Sequence, residues 1–413
     1  MSSMKILLYV LILFSLPHVN WIPYKLGISP EQIPLGVGNW TLLAAALLFF
    51  FGRHNYKAVN YLKSYNYFIL LVVFGVVVAI VTGYEDIDFV LTAFKRQMSL
   101  MLLFYLPLST ISDEEEFKKI FIVCLVVHLM VGVEVFRSGM LVGSNFNDSK
   151  RGSGPFSLGW EGSDIAGGYL CQVIMFFAAI LYSSELSIKT RCLSAFCCFA
   201  LLLGVLATYA RGAIIALVIG LLMLIVSKGL SLRSVFIVFI TASLLFSYLP
   251  ESVTSRFDKT TSESGQLDVT VTGRFYFYES ALKIIVENPL GVGTGQVRAA
   301  MQRYTSRYVD PHNGILYTAC EYGIVGLIIF LTMLFQCMRG AFAIIKSDSM
   351  PIIYKVYARG MIGFITALFF CNMSYANFYK DTVLGTAVIH IGLLAFILHH
   401  LHEVQSQAIT GAT

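Results

Sequence analysis

The chain has 413 residues, of which 57% are hydrophobic and 13% charged, whereas a soluble domain carries roughly 25% charged residues. So few charges cannot solvate a compact surface, which excludes a soluble enzyme and leaves much of the exterior facing lipid. The net charge is +5, and the eight cysteines show no CxxC or Cys/His ligand spacing, so they read as small buried apolar residues.

A membrane helix needs roughly 20 mainly apolar residues, and by that measure about twelve spans follow one another. They centre on residues 4–21, 35–52, 67–83, 89–108, 120–136, 165–183, 192–209, 212–227, 232–249, 323–338, 357–375 and 382–399. The first follows Lys5 as a signal peptide would, but no small-residue cleavage site comes after it, and Trp21 and Tyr24 suit the interface of a retained span. The expected fold is therefore an all-α polytopic membrane protein. It divides into an N-terminal bundle (1–249), a loop with short helices (250–322) and a C-terminal set of spans (323–413).

Short loops on one side carry Arg53, Lys57, Lys63, Lys118, Lys119, Lys189, Arg191, Lys228, Arg233, Arg339, Lys346 and Lys355. Those on the other carry little beyond Lys25, Arg211 and Lys380. The bias places the first side and both termini in the cytoplasm. Two longer segments, 137–164 and 250–322, then lie outside. Within the second, 274–287 reads as an amphipathic helix, with Tyr278, Ala281, Leu282 and Ile285 on one face and Glu279, Lys283 and Glu287 at i,i+4 spacing. Asn288-Pro289 ends it, a glycine-rich turn follows (Gly291, Gly293, Gly295), and a second helix is expected near 296–308.

Candidate chemistry gathers on that outer side. Arg211, on a tight connection between two apolar spans, needs a cavity, a polar partner or the interface. Gly273-Arg274, at a helix start, pairs a guanidinium with free backbone N–H groups, a good anion site. His312, in Asp310-Pro311-His312-Asn313, can serve as a general base or as a phosphate contact. Lys95-Arg96 lies inside the fourth span, and helical geometry lets one of the two point inward; Arg96 is the choice. Gly291-x-Gly293-x-Gly295 follows a helix outside the cytoplasm, unlike a nucleotide loop. Asp86-Ile87-Asp88 has the form of a metal-binding DxD, but one acidic loop is weak support, and no metal or cofactor is expected.

Four stretches resemble the O-antigen ligase and polymerase superfamily. Tyr209-Ala210-Arg211-Gly212 is similar to its (S/T)RG element, with Ala210 in the hydroxyl position. Gly273 to Tyr278 is similar to GRxxxW, with Tyr278 where Trp is usual. The 288–295 turn resembles NPxxGxGxG, and Pro311-His312-Asn313 through Glu321-Tyr322-Gly323 resembles HNxxL…ExG. Order, spacing and sidedness agree across about 201–331.

The resemblance implies a GT-C-type glycosyltransferase at the outer face of a bacterial inner membrane, taking its glycan from undecaprenyl diphosphate. The acceptor would be the lipid A core in a ligase, or a second lipid-linked repeat unit in a polymerase. It implies catalytic roles for His312, Arg211 and Arg274, and substrate contacts from Arg96, Arg211, Arg274, Tyr278 and Asn313. Membrane lipids are the other partners; nucleic acid is not expected. Fixed cations would stabilise the leaving diphosphate without a metal, and attack from the opposite face would invert the anomeric centre. A lipid-linked glycan transporter would instead gather its ionisable residues near the midplane.

Overall fold

The computed structural model describes residues 2–18, 62–142, 151–156, 160–229 and 269–410. Among these, every regular element is helical. In chain order they are α1 (Ser2–His18), α2 (Lys63–Thr82), α3 (Ile87–Met101), α4 (Tyr105–Thr110), α5 (Glu114–Val142), α6 (Trp160–Tyr182), α7 (Ile188–Thr208) and α8 (Arg211–Val226). There follow α9 (Val269–Glu287), α10 (Val297–Thr305), α11 (Gly314–Lys346), α12 (Ile352–Asn372) and α13 (Asp381–Thr410). Eight segments among the described residues are long and apolar enough to cross a membrane, with α3 and α4 forming one of them; α1 and α8 are shorter apolar helices. The expected spans at 35–52 and 232–249 lie outside the described residues.

Apolar side chains cover both the inside and the outside of this bundle. Leu70, Val81, Phe196, Val325 and Phe335 are each more than half exposed on their helices, an arrangement that water penalises and hydrocarbon does not. The chain is a membrane protein. Its inner helices are α6, α12 and α13, whose apolar windows are mostly or wholly buried. Helix α6 packs on α7, α8 and α12; α11 packs on α12 and α2; α13 lies along α3 and α4.

Helices α9 and α10 close one end of the bundle over a small core of their own. It joins Ala281, Ile284, Ile285, Val297, Ala300 and Met301 to Ala319 and Cys320 of α11. The Arg303 guanidinium sits 3.9 Å above the Tyr84 ring, tying α10 to the loop after α2. Ile284 joins Ala281 and Ile285 inside, while Leu282 is 53% exposed. One residue on from Ala281 is a turn of about 100°, which carries Leu282 off the packed face. The Glu279–Lys283 pair forms as expected, at 2.9 Å.

The glycine-rich turn wedges into helix α11. At Gly323 (φ +67°) that helix is kinked, and the carbonyls of Cys320 and Glu321 accept from the N–H groups of Val292 and Gly293, at 2.8 and 2.9 Å. Carbonyls freed at a helix break must find donors in a dry environment; the turn supplies them. Thr294 N–H donates to Gly75 O and Gly295 N–H to the Glu321 carboxylate, bracing α2 and α11 against one another. Gly293 has φ +90°, and a Cβ there would stand 2.3 Å from Ala79 N. Gly293→Ala is therefore expected to destabilise the protein by more than ~2 kcal/mol from backbone strain and collision together, read as a lower thermal midpoint of the purified protein in detergent.

Candidate functional site

At the end of the bundle under α9 and α10, helices α6, α8, α11 and α13 begin and α7 and α12 end.

The Arg211 turn is built by close packing. Helix α7 ends at Thr208, Tyr209 adopts the left-handed conformation (φ +53°), and Arg211 is the first residue of α8. A left-handed non-glycine residue is costly and persists where its surroundings impose it. Here α6 presses on the turn at Gly167, where a Cβ would meet Ala210 and Thr208 at 2.9 Å. A Cβ on Gly212 would come within 2.1 Å of the Ser374 hydroxyl, so glycine there lets the first turn of α8 pack closely on the segment after α12. Gly152 N–H donates to Ala207 O at 2.9 Å, which brings Arg151 to the same place. The Arg151 guanidinium stands 3.4 Å from Asp164 on the first turns of α6, and the fields of Arg274 and Arg211 also fall on Asp164. Burial lowers the pKa of Arg151, Asp164 opposes this, and Arg274 lowers it further; arginine nonetheless keeps its charge at neutral pH. One guanidinium thus pairs with Asp164, and the charges of two more act on it.

His312 faces this group. Its backbone is left-handed (φ +50°), its N–H donates to Asp310 Oδ1 at 3.0 Å, and that same oxygen lies 3.5 Å from Nδ1. The ring sits between Phe277 and Tyr375, with centroids at 5.5 and 5.8 Å. Burial holds its pKa below the usual histidine value; Asp310 pulls it back up, and Arg274 and Lys380 push it down. At neutral pH the imidazole is therefore uncharged, and a carboxylate beside Nδ1 favours the tautomer with its proton there and its lone pair on Nε2.

Next to His312 runs a closed ionic network. Lys380 Nζ lies 2.7 Å from Glu161 and 3.7 Å from Asp310, and Arg298 bridges the same two acids at 3.7 and 3.4 Å. The Tyr375 hydroxyl donates to Glu161 at 2.8 Å.

Of the residues singled out by sequence, Arg274 acts on both His312 and Asp164, and Arg211 acts on Asp164. Asn313 caps α11, accepting from the N–H groups of Ile315 and Leu316 at 2.9 and 3.1 Å, and its amide donates to Met373 O. The Tyr278 hydroxyl is 3.5 Å from that same carbonyl. Both thus border the His312 turn and help hold it. Arg96 pairs with Asp381 at 3.2 Å, one residue beyond Lys380, and its field reaches Glu321 and Tyr317. Asp86 accepts the Phe89 N–H as the N-cap of α3, which accounts for an acid at that position. Among the described residues, no group of three His, Cys, Asp or Glu side chains is placed to hold a metal ion.

Arg151, Glu161, Asp164, Asp310, Tyr375 and Lys380 complete the site and carry no role in the sequence reading. Two signals could have found three of them: Glu161 and Asp164, three residues apart at the head of an apolar helix, and Lys380, one of few cations on its side of the membrane.

Residues 196–331 match the family model described as O-antigen ligase, a stretch that holds the Arg211 turn, Arg274, the glycine wedge and His312. No curated protein matches the chain.

Proposed function

From the premise that residues 196–331 belong to the O-antigen ligase family, we propose that this membrane protein transfers a glycan from undecaprenyl diphosphate to an acceptor sugar on the lipid A core. The reaction takes place at the periplasmic face of a bacterial inner membrane, with both termini cytoplasmic. The observation that carries the reading is the Arg151–Asp164 pair, on which the charges of Arg211 and Arg274 also act, near a His312 held against Asp310.

In a diphosphate leaving group, negative charge grows as the bond from C1 to the phosphate oxygen breaks. Fixed guanidiniums aimed at that position stabilise it in the transition state, and their fork geometry suits phosphate. Neutral His312 takes the proton from the acceptor hydroxyl through Nε2 as its oxygen bonds C1, and the electron pair of the breaking bond leaves with undecaprenyl diphosphate. Attack from the face opposite the leaving group inverts the anomeric carbon. Asp310 steadies the imidazolium that forms, while Asn313 and Tyr278 keep the His312 turn in place through Met373.

The test supplies purified protein with undecaprenyl-diphosphate-linked glycan and two competing acceptors, lipid A–core and a second lipid-linked repeat unit. Extension of lipid A–core, undiminished by EDTA, is the expected result. Extension of the repeat unit instead would make the protein a polymerase. Reversible loss on chelation would overturn the metal-free mechanism and bring Asp86 and Asp88 back as ligands.

A further inference from the structure

Among the described residues, the charges beside His312 fall into two groups with different sums. On one side, Asp164 pairs with Arg151 at 3.4 Å and also feels the charges of Arg211 and Arg274, which leaves two positive charges in excess. On the other, Glu161 and Asp310 are held between Lys380 and Arg298 at 2.7 to 3.7 Å, and those charges cancel. Helix α6 contributes one acid to each group, Glu161 to the second and Asp164 to the first. A glycan joined to a lipid through diphosphate carries two negative charges, so the first group matches it in sign and in number.

The balanced group has no such excess with which to hold a second anion. It offers a carboxylate, an ammonium, a guanidinium and a phenol close together, the alternation of acceptors and donors that neighbouring sugar hydroxyls require. Lys380 Nζ is also 4.9 Å from the Tyr375 ring centroid, and that ring in turn flanks His312. Uncharged polyols recognised by such a set are distinguished by hydrogen bonds, whose loss costs most when the partner left behind is charged.

Building on the transferase reading, we infer that Glu161, Lys380, Arg298 and Tyr375 form the acceptor subsite, and that it selects an uncharged sugar whose hydroxyl is delivered to His312 from the side away from the diphosphate. Arg151 belongs with the donor. The network also ties the loop before α11 to α6 and to the residue preceding α13, so the experiment must separate a contact from a brace.

The KM values for donor and acceptor are measured separately in purified Glu161→Gln and Lys380→Met protein, alongside equilibrium binding of undecaprenyl diphosphate. Lipid A–core and the lipid-linked repeat unit, both extracted from the source strain, serve in turn as acceptor. The acceptor KM is expected to rise about 10–100-fold, the scale of a lost hydrogen bond to a charged group, with the donor KM and undecaprenyl diphosphate binding held within about two-fold. Lys380→Arg keeps a charge beside Glu161 and Asp310 but not the compact ammonium, and is expected to retain thermal stability while the acceptor KM stays high.

An acceptor KM restored to the parent value in Lys380→Arg would reduce the network to a brace and overturn the inference. An unchanged acceptor KM in Glu161→Gln, or a donor KM that rises with it, would do the same. If Arg274→Ala also left donor KM and undecaprenyl diphosphate binding untouched, the failure would lie in the transferase reading instead.

Discussion

Replacing Arg274 with alanine is expected to cut glycan transfer by about 10²–10³-fold, the usual loss when one preorganised charge-stabilising donor is removed. Arg274 is half-buried in the second turn of α9, which begins at Val269 and not at Gly273, so the free N–H groups expected beside it lie a turn earlier; its field falls on Asp164, Arg151 and His312. It stands where the guanidinium cluster meets the base. Because leaving-group charge is greatest in the transition state, most of the loss should appear in kcat, with a smaller rise in donor KM. Arg274→Lys keeps the charge but not the planar fork, so it should recover only part of the rate. Arg211→Ala is expected to lose a similar amount. The double variant should lose less than the product of the two, because both residues act on one group of atoms. Membrane insertion and the thermal midpoint should be unchanged in Arg274→Ala. A kcat within about three-fold of the parent, where a donor of this kind contributes ~3 kcal/mol, would remove Arg274 from the site.

Much of the architecture is written in hydropathy alone. The apolar runs of α2, α5, α6, α7, α12 and α13 stand out because lipid demands an unbroken stretch of about 20 residues, and the structure has a helix at each. Arg211 stands out for a related reason: a charge at such a place is costly unless something receives it. What receives it could not be read. Glu161 and Lys380 are 219 residues apart in the chain, and no periodicity in either segment encodes the other. The wedge was hidden in the same way. Gly291, Gly293 and Gly295 announce a tight turn, but that the turn enters α11 at Gly323 depends on carbonyls of Cys320 and Glu321 that sit in another element. Local rules also misjudged a face of α9, where Ile284 is buried and Leu282 exposed, because the partner surface offered by α10 and α11 sets the helix rotation.

His312→Gln is expected to lower transfer by about 10²–10⁴-fold, the range for a positioned general base, and the pH profile of the parent protein should identify the group lost. Base catalysis needs the uncharged imidazole. Activity is therefore full above the histidine pKa and falls as pH drops through it. Burial, Arg274 and Lys380 push that pKa down against the opposing pull of Asp310, so the acid limb should lie below the midpoint of an ordinary histidine, about 6.5. The neighbours then give signed shifts. Asp310→Asn removes the group that raises the pKa and should move the limb to still lower pH. Lys380→Met removes one that lowers it and should move the limb upward. Were His312 a protonated phosphate contact, activity would instead rise as pH fell through the same range. Opposite displacement of the limb by Asp310→Asn and Lys380→Met cannot come from a general loss of packing, which would scale the whole profile without moving it. An acid limb that stays in place in both variants would show that the titrating base is some other group.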